Sequence, residues 1–120
     1  MDPATASKLE QAEQSRINGD YDAAQPLYEE IVVAAPDCSR AWWGLAHVLM
    51  NIGEFDLAVE KFRKASEIDP ANQRYILDHG MMHAMLSEFE EARVLFERVI
   101  SLNPSSHQAD EARKQLSYYR

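Results

Sequence analysis

The sequence is poor in residues that cross-link or break a chain. Its 120 residues include one cysteine, four glycines and five prolines. The single cysteine, Cys38, rules out an internal disulfide and suits a reducing compartment. The low glycine and proline content argues against a fibrous or disordered chain, and 46% apolar residues suffice for a core. The composition therefore indicates one globular domain.

Basic residues are scarce as well. Twelve Lys and Arg stand against 20 Asp and Glu, which gives a formal net charge of −8. Nucleic acid is therefore excluded as a partner, because binding it requires a basic face. No apolar run approaches the roughly 20 residues of a membrane helix. Residues 1–4 also lack the basic and apolar regions of a signal peptide. We expect a cytoplasmic protein that binds neither nucleic acid nor membrane.

A 34-residue interval organises what the sequence does contain. Prolines recur at this interval, and so do alanines and, four residues after each alanine, aromatic residues. A period in this range predicts stacked helical hairpins rather than one wound domain. The residues in register are Pro36, Pro70 and Pro104; Ala24, Ala58 and Ala92; and Tyr28, Phe62 and Phe96.

Each repeat contains two blocks with the i, i+3, i+4, i+7 apolar spacing of an amphipathic helix. Gly19 and Gly53 are expected to close the first helix of their repeats in the left-handed conformation, and Asp20 to cap the helix that follows. Pro26 should bend its helix or displace the first turn, and should face solvent. The repeats are 5–38, 39–72 and 73–106, with A helices near 5–17, 39–51 and 73–85, B helices near 22–34, 56–68 and 90–102, and a last helix over 107–119.

These positions resemble the tetratricopeptide repeat family, whose unit reads W-x2-L-G-x2-Y, then A-x3-F, then P. The second repeat matches best, the third keeps the glycine and the B-helix residues, and the first matches only in its B helix, as a terminal unit should. The resemblance implies an all-α fold, a right-handed α-solenoid of three antiparallel helix pairs plus one capping helix, forming a single domain over 1–120. The residues that carry it are Trp42, Leu45, Ala58, Phe62 and Pro70, then Gly80, Ala92, Phe96 and Pro104, then Ala24, Tyr28 and Pro36.

In this family the A helices line a concave groove, and the resemblance implies which residues would contact a ligand there. Adjacent helical residues point about 100° apart, so we expect Trp42 in the core and Trp43 in the groove. The alternative is that the groove positions contact a neighbouring helix and are simply core. The predicted peptide-binding residues are Leu9, Glu13, Arg40, Trp43, His47, Met50, Arg74, Leu77, Asp78, Met81 and Met85. The same repeat positions also include Glu10, Arg16, Ile17, Gly44, Asn51 and Ala84.

The family's best-known ligands are the acidic C-terminal tails of heat-shock chaperones. The resemblance implies that such a carboxylate clamp needs Lys, Asn and Arg side chains at five positions. This chain keeps a positive charge at only one of them, so we predict that the clamp is absent. The residues at these positions are Leu9, Glu13, Gly44, Arg74 and Asp78.

Two histidines, His79 and His83, have the i, i+4 spacing that can place both rings on one metal ion. Gly80 stands where the zinc-protease signature has glutamate, and a zinc site needs at least three protein ligands. We therefore predict a half-buried structural pair and no metal. The sequence also contains no phosphate-binding glycine loop and no nucleophile elbow, so neither a cofactor nor an enzyme is expected.

The sequence thus predicts a non-catalytic interaction module, an adaptor, scaffold or chaperone, which binds a peptide or helix of another protein in its groove. One alternative is a self-assembling structural scaffold that uses the groove or the stack ends and forms homo-oligomers. A lower alternative is a chaperone similar to those of type III secretion translocators. The run from Asp37 to Arg40, which precedes the two tryptophans, resembles the corresponding sequence of those chaperones.

Overall fold

The computed structural model describes residues 1–119, and this part of the chain forms helices and no strands. Each A helix ends at the predicted residue, and each B helix begins one residue before its predicted start. Within the described residues, every helix is too short or too polar to cross a membrane. The helices are α1 (Pro3–Ile17), α2 (Tyr21–Ala34), α3 (Ser39–Asn51), α4 (Phe55–Ile68), α5 (Gln73–Met85), α6 (Phe89–Leu102) and α7 (His107–Ser117).

The first helix begins earlier than predicted because the chain supplies a cap there. The carboxylate of Asp2 accepts a hydrogen bond from the Thr5 backbone N–H at 2.8 Å, and Pro3 occupies the first turn, where its missing N–H costs nothing. That backbone bond lowers the pKa of Asp2. Asp20 caps α2 in the same way, through the Ala23 N–H at 3.3 Å, which confirms the prediction.

Pro26 lies inside α2 and is exposed, as predicted. It does not displace the first turn, because α2 begins at Tyr21, in register with the starts of α4 and α6; the predicted alternative, a bend of the helix, stays a prediction. Pro26 has no backbone N–H and so removes one hydrogen bond from α2. The Asp20 carboxylate accepts a hydrogen bond from the Ala23 N–H, which precedes Pro26, and this bond fixes the first turn.

The chain folds into two compact units, Met1–Ile68 and the residues from Asp69 onward. In the first, α1 packs on α2, α2 on α3 and α3 on α4; in the second, α5, α6 and α7 pack together. The single domain predicted over 1–120 stays a prediction. The alanines and aromatics of the 34-residue register form the core, and each is fully buried: Ala24, Tyr28, Ala58, Phe62, Ala92 and Phe96.

The last helix, α7, has the two faces of an end cap. Ala109 and Ala112 are buried, and Leu116 and Tyr119 pack against the core of the second unit. Polar residues occupy the rest of its surface, where Arg113 pairs with Asp110. A helix that is apolar on one side only can end a repeat stack without exposing core residues to water.

Backbone geometry at the turns between A and B helices differs in one repeat. Gly19 and Gly53 have φ of 80° and 86°, whereas Ser87 takes the equivalent position with φ of 61°. A side chain in the left-handed region costs about 1–2 kcal/mol. The third repeat therefore holds strain that the first two avoid.

Ser87→Gly should stabilise the protein by about 0.5–1 kcal/mol, since the relief of strain exceeds the extra flexibility of glycine in the unfolded chain. Thermal unfolding should show a Tm rise of about 3 °C. The opposite change, Gly53→Ala, places a side chain at φ 86° and should lower stability by about 1 kcal/mol. Equal Tm values for Ser87→Gly and wild type would contradict the strain argument.

Candidate functional site

The A helices of the first unit, α1 and α3, lie in contact and bring their charged residues together. One guanidinium nitrogen of Arg40 lies 2.5 and 2.6 Å from the two carboxylate oxygens of Glu13. The Arg40 side chain is 63% exposed and that of Glu13 23%. Two predicted groove residues that lie 27 positions apart in the sequence thus form one ion pair.

Arg16, on α1, contacts two aromatic residues of the first unit. Its guanidinium lies over the indole of Trp43, 4.9 Å from the ring centroid, which is a cation–π contact. Its Nε donates a hydrogen bond to the buried Tyr28 hydroxyl at 3.1 Å. Burial raises the pKa of Tyr28, and the bond from Arg16 acts in the opposite direction. These two contacts fix the orientation of the Arg16 guanidinium.

His47 makes a second contact with Trp43. Its ring meets the indole edge-on at a centroid distance of 4.4 Å and meets the buried Phe62 at 5.2 Å. Trp43 and Met50 are both partly exposed on α3. The first unit thus has what we call the α1/α3 surface, formed by Glu13, Arg16, Arg40, Trp43, His47 and Met50.

Trp42 does not belong to the core, which corrects the prediction. It is partly exposed, and its Nε1 donates to the Pro36 carbonyl at 2.8 Å. The ammonium groups of Lys61 and Lys64 lie 5.6 and 5.9 Å from its ring centroid. Trp42 stands in the first turn of α3, where lysine side chains from α4 cover the indole instead of core residues.

Two further predicted groove residues are buried. Leu9 is 5% exposed, and Leu77 is 1% exposed within the core cluster that includes Ile76 and Phe96. Gly44 is buried too, because its backbone lies against the ring of Tyr28 and a Cβ there would overlap that ring. These three positions therefore offer a ligand little surface in the folded chain, as the alternative of core positions expects, and their role as contact residues stays a prediction.

The second unit offers a smaller surface on α5, which we call the α5 surface: Arg74, Asp78, Met81 and Met85. Arg74 lies 3.6 Å from Asp78 one turn along the helix. Met81 packs partly on the core, and Met85 is 56% exposed at the end of the helix. His79 is buried and His83 partly buried on the same helix. Within residues 1–119, His, Cys, Asp and Glu side chains form no group of three or more that could hold a metal ion.

The repeat register, the buried alanine and aromatic pairs and the capping helix define a tetratricopeptide-type helical repeat. The chain belongs to the family of the cilia and flagella-associated protein 70 middle TPR-like domain, whose model matches residues 9–118. This confirms the predicted family and the predicted all-α repeat fold.

Similar proteins include a protein SGT1 homolog of Oryza sativa, 29% identical over 98 residues; these cover 81% of this chain and 27% of that protein. The first TPR of Spaghetti (RPAP3), bound to the HSP90 peptide SRMEEVD, has a TM-score of 0.85 at 21% identity, over 96% of this chain and 91% of that one. The Yersinia enterocolitica type III secretion chaperone SycD, in complex with a peptide of the translocator YopD, has a TM-score of 0.86 at 18% identity, over 98% and 90%. At these identities the two structures establish the fold alone.

Arg16→Ala should destabilise the protein by about 1–2 kcal/mol, because the buried Tyr28 hydroxyl loses its partner and Trp43 loses its cation–π contact. Urea unfolding followed by circular dichroism measures the change. Arg63→Ala is the matched control: its side chain is 60% exposed and pairs with Glu67 at 3.8 Å, and it should cost less than about 0.5 kcal/mol. Equal losses of unfolding free energy in the two variants would show that Arg16 stabilises the protein no more than an exposed ion-pair residue does.

Proposed function

We propose that this chain is a non-catalytic interaction module that binds a peptide or helical segment of another protein on its α1/α3 surface. The main observation behind this proposal is that Trp43 remains partly exposed although its indole contacts both Arg16 and His47. Tryptophan and arginine are the residues most enriched among binding hot spots. An indole held in place before binding loses little entropy when a ligand docks on it.

The charges of the surface indicate what kind of segment binds. Glu13 pairs with Arg40 in the first unit, and Asp78 pairs with Arg74 in the second. A cation that already has a carboxylate partner gains little from a second one, and the guanidinium of Arg16 is engaged by the Tyr28 hydroxyl and the Trp43 ring. The surface therefore does not select an acidic segment. Trp43 and Met50 supply apolar contact area on the α1/α3 surface, and methionine adapts to differently shaped partners. The ligand is therefore an apolar or amphipathic segment.

Two structural neighbours support this class of function, because each contains a peptide of another protein: the HSP90 peptide on the RPAP3 repeat domain and the YopD peptide on SycD. Tetratricopeptide-type domains are generally interaction modules rather than enzymes. The finer roles of adaptor, scaffold or chaperone and the cytoplasmic localisation stay predictions. The chain spans 27% of the length of the rice relative, so a whole relative's activity does not transfer to it.

The heat-shock peptide SRMEEVD should not bind this chain. Two of the five clamp positions, Leu9 and Gly44, are buried, and two others, Glu13 and Asp78, carry negative charge. Carboxylates of the peptide would meet like charges instead of lysines. Isothermal titration calorimetry should give a Kd weaker than about 1 mM, with the RPAP3 domain as positive control. Micromolar binding would overturn the assignment of an apolar ligand.

A peptide-display selection against the immobilised wild-type protein should enrich apolar and aromatic peptides of low net charge. Their affinity, measured by fluorescence polarisation, should fall at least about 10-fold in Trp43→Ala, since a central hot spot contributes about 2 kcal/mol or more. Raising the salt concentration from about 50 to 500 mM should change Kd less than about 2-fold, because the partners make few new ion pairs.

Val33→Ala is the matched control for this experiment, because Val33 is 82% exposed on α2, outside both surfaces. It should bind the selected peptides as wild type does. Tm values of all variants show whether a loss of binding reflects unfolding. Peptides that bind Trp43→Ala and wild type equally well would rule out the α1/α3 surface. Concentration-dependent oligomers that Trp43→Ala abolishes would favour the self-assembling scaffold instead.

A further inference from the structure

The second unit contains a pair of imidazoles that the proposed function does not use. His79 and His83 occupy the register positions of Leu45 and Leu49, which are buried hydrophobic residues in the second repeat. His79 is likewise buried, 7% exposed, and the His83 side chain is 15% exposed. A polar ring in a leucine position costs desolvation energy unless its nitrogens have partners. The arrangement of these nitrogens therefore requires an explanation.

The two rings face each other through their Nε2 atoms, which lie 3.1 Å apart, and their centroids are 4.8 Å apart. A head-on N–H···N bond of that length would separate the centroids by about 5.3 Å, because each nitrogen lies about 1.1 Å from its ring centre. The shorter observed separation means that the rings are tilted. With equal tilts of about 40°, the N–H···N angle falls to about 120°, where a hydrogen bond is weak.

The same tilt suits a shared cation. When both rings lean to one side by about 40°, the lone-pair axes of the two Nε2 atoms converge at a point about 2.0 Å from each nitrogen, which is the length of a bond from zinc to imidazole. Two such bonds to nitrogens 3.1 Å apart enclose an angle of about 100°, between the square-planar and tetrahedral values. The pair thus has the dimensions of a two-histidine chelate on one helix turn.

Glu88 adds the outer contact that metal-binding histidines usually have. Its carboxylate lies 3.1 Å from Nδ1 of His83, and its backbone N–H donates to the His83 carbonyl at 2.8 Å. A proton on Nδ1 that is donated to Glu88 leaves the lone pair of Nε2 available for a metal. A carboxylate in this position fixes the ring orientation and makes the imidazole a stronger ligand.

From this geometry we propose that His79 and His83 form a binding site for a divalent transition-metal ion, with Glu88 orienting His83. The spacing alone predicts no metal, because a closed zinc centre needs a third protein ligand. The ring geometry instead supports an open site with two protein ligands, where water completes the coordination. The ion would enter past His83, whose side chain is 15% exposed. A bound ion would tie α5 to the turn before α6, where Glu88 lies, and so stabilise the third repeat.

The identity of the metal follows from the ligands. Two neutral imidazoles suit Cu(II), Ni(II) and Zn(II), whereas Mg²⁺ prefers oxygen. The affinity should be highest for Cu(II), as in the usual order of first-row divalent ions. Chelator-stripped protein should therefore show a Tm several degrees higher with Cu(II), a smaller increase with Ni(II) and Zn(II), and none with Mg²⁺, because a ligand of the native state stabilises it by mass action.

Three variants assign the effect to the pair. His83→Gln should remove the metal-dependent rise in Tm, and Glu88→Gln should weaken Cu(II) binding about 10-fold in calorimetric titration. The control is His107→Gln, which removes an exposed histidine on α7, 76% accessible, and should retain the full effect. The electron paramagnetic resonance spectrum of the Cu(II) complex should show two equivalent nitrogen ligands in wild type.

Two results would overturn the proposal: no increase in Tm with any of the three metals, or an equal increase in wild type and His83→Gln. An equal increase in wild type and His83→Gln would mean that the ion binds elsewhere, for example at the N-terminal amine. If His83→Gln unfolds in the absence of metal, the nitrogen hyperfine pattern of wild type and the Glu88→Gln titration decide the question. Loss of peptide binding in Trp43→Ala is measured separately, so this proposal and the proposed function can fail independently.

Discussion

The first unit depends on the placement of one buried side chain, Tyr28 on α2. Its ring lies against the backbone of Gly44 on α3, so closely that a single added carbon there would overlap it. Its hydroxyl reaches α1, where Arg16 donates to it, and Arg16 in turn lies over Trp43. Core packing and the candidate binding surface therefore share one constraint, because a shift of the tyrosine moves both the α2–α3 contact and the residue that holds the exposed indole.

The second unit solves the same packing problem with different side chains. A Cβ at Gly80 of α5 would lie 2.9 Å from the ring of Phe96 on α6, so glycine again lets an aromatic ring approach a helix backbone. Here, however, the aromatic ring has no hydroxyl, and polar contacts come from the histidines of α5 and from Glu88. The repeat thus conserves the shape of its core while the polar groups around it vary.

The sequence predicted the fold well because its information is periodic. Helix ends at Ile17, Asn51 and Met85 follow from the register, and the turn residues and caps act locally. The candidate surface was predicted less well, because side-chain burial depends on neighbours that no spacing reveals. Leu9 and Leu77 occupy the same register position as Trp43, which is partly exposed, yet both are buried. Trp42 lies outside the core, where two lysines of another helix contact its ring. Pairing of Glu13 with Arg40 likewise requires α1 and α3 to be side by side, which only the folded chain shows.

The two tryptophans stand next to each other in sequence but have unrelated surroundings. The Trp42 indole donates to the Pro36 carbonyl and contacts two ammonium groups, whereas the Trp43 indole contacts a guanidinium and an imidazole. Their fluorescence should therefore report different events: emission from Trp42 should follow the contact between α3 and α4, and emission from Trp43 should follow binding of a ligand at the proposed α1/α3 surface. A pair of single-tryptophan variants would separate ligand docking from local unfolding in the same helix, without any attached label.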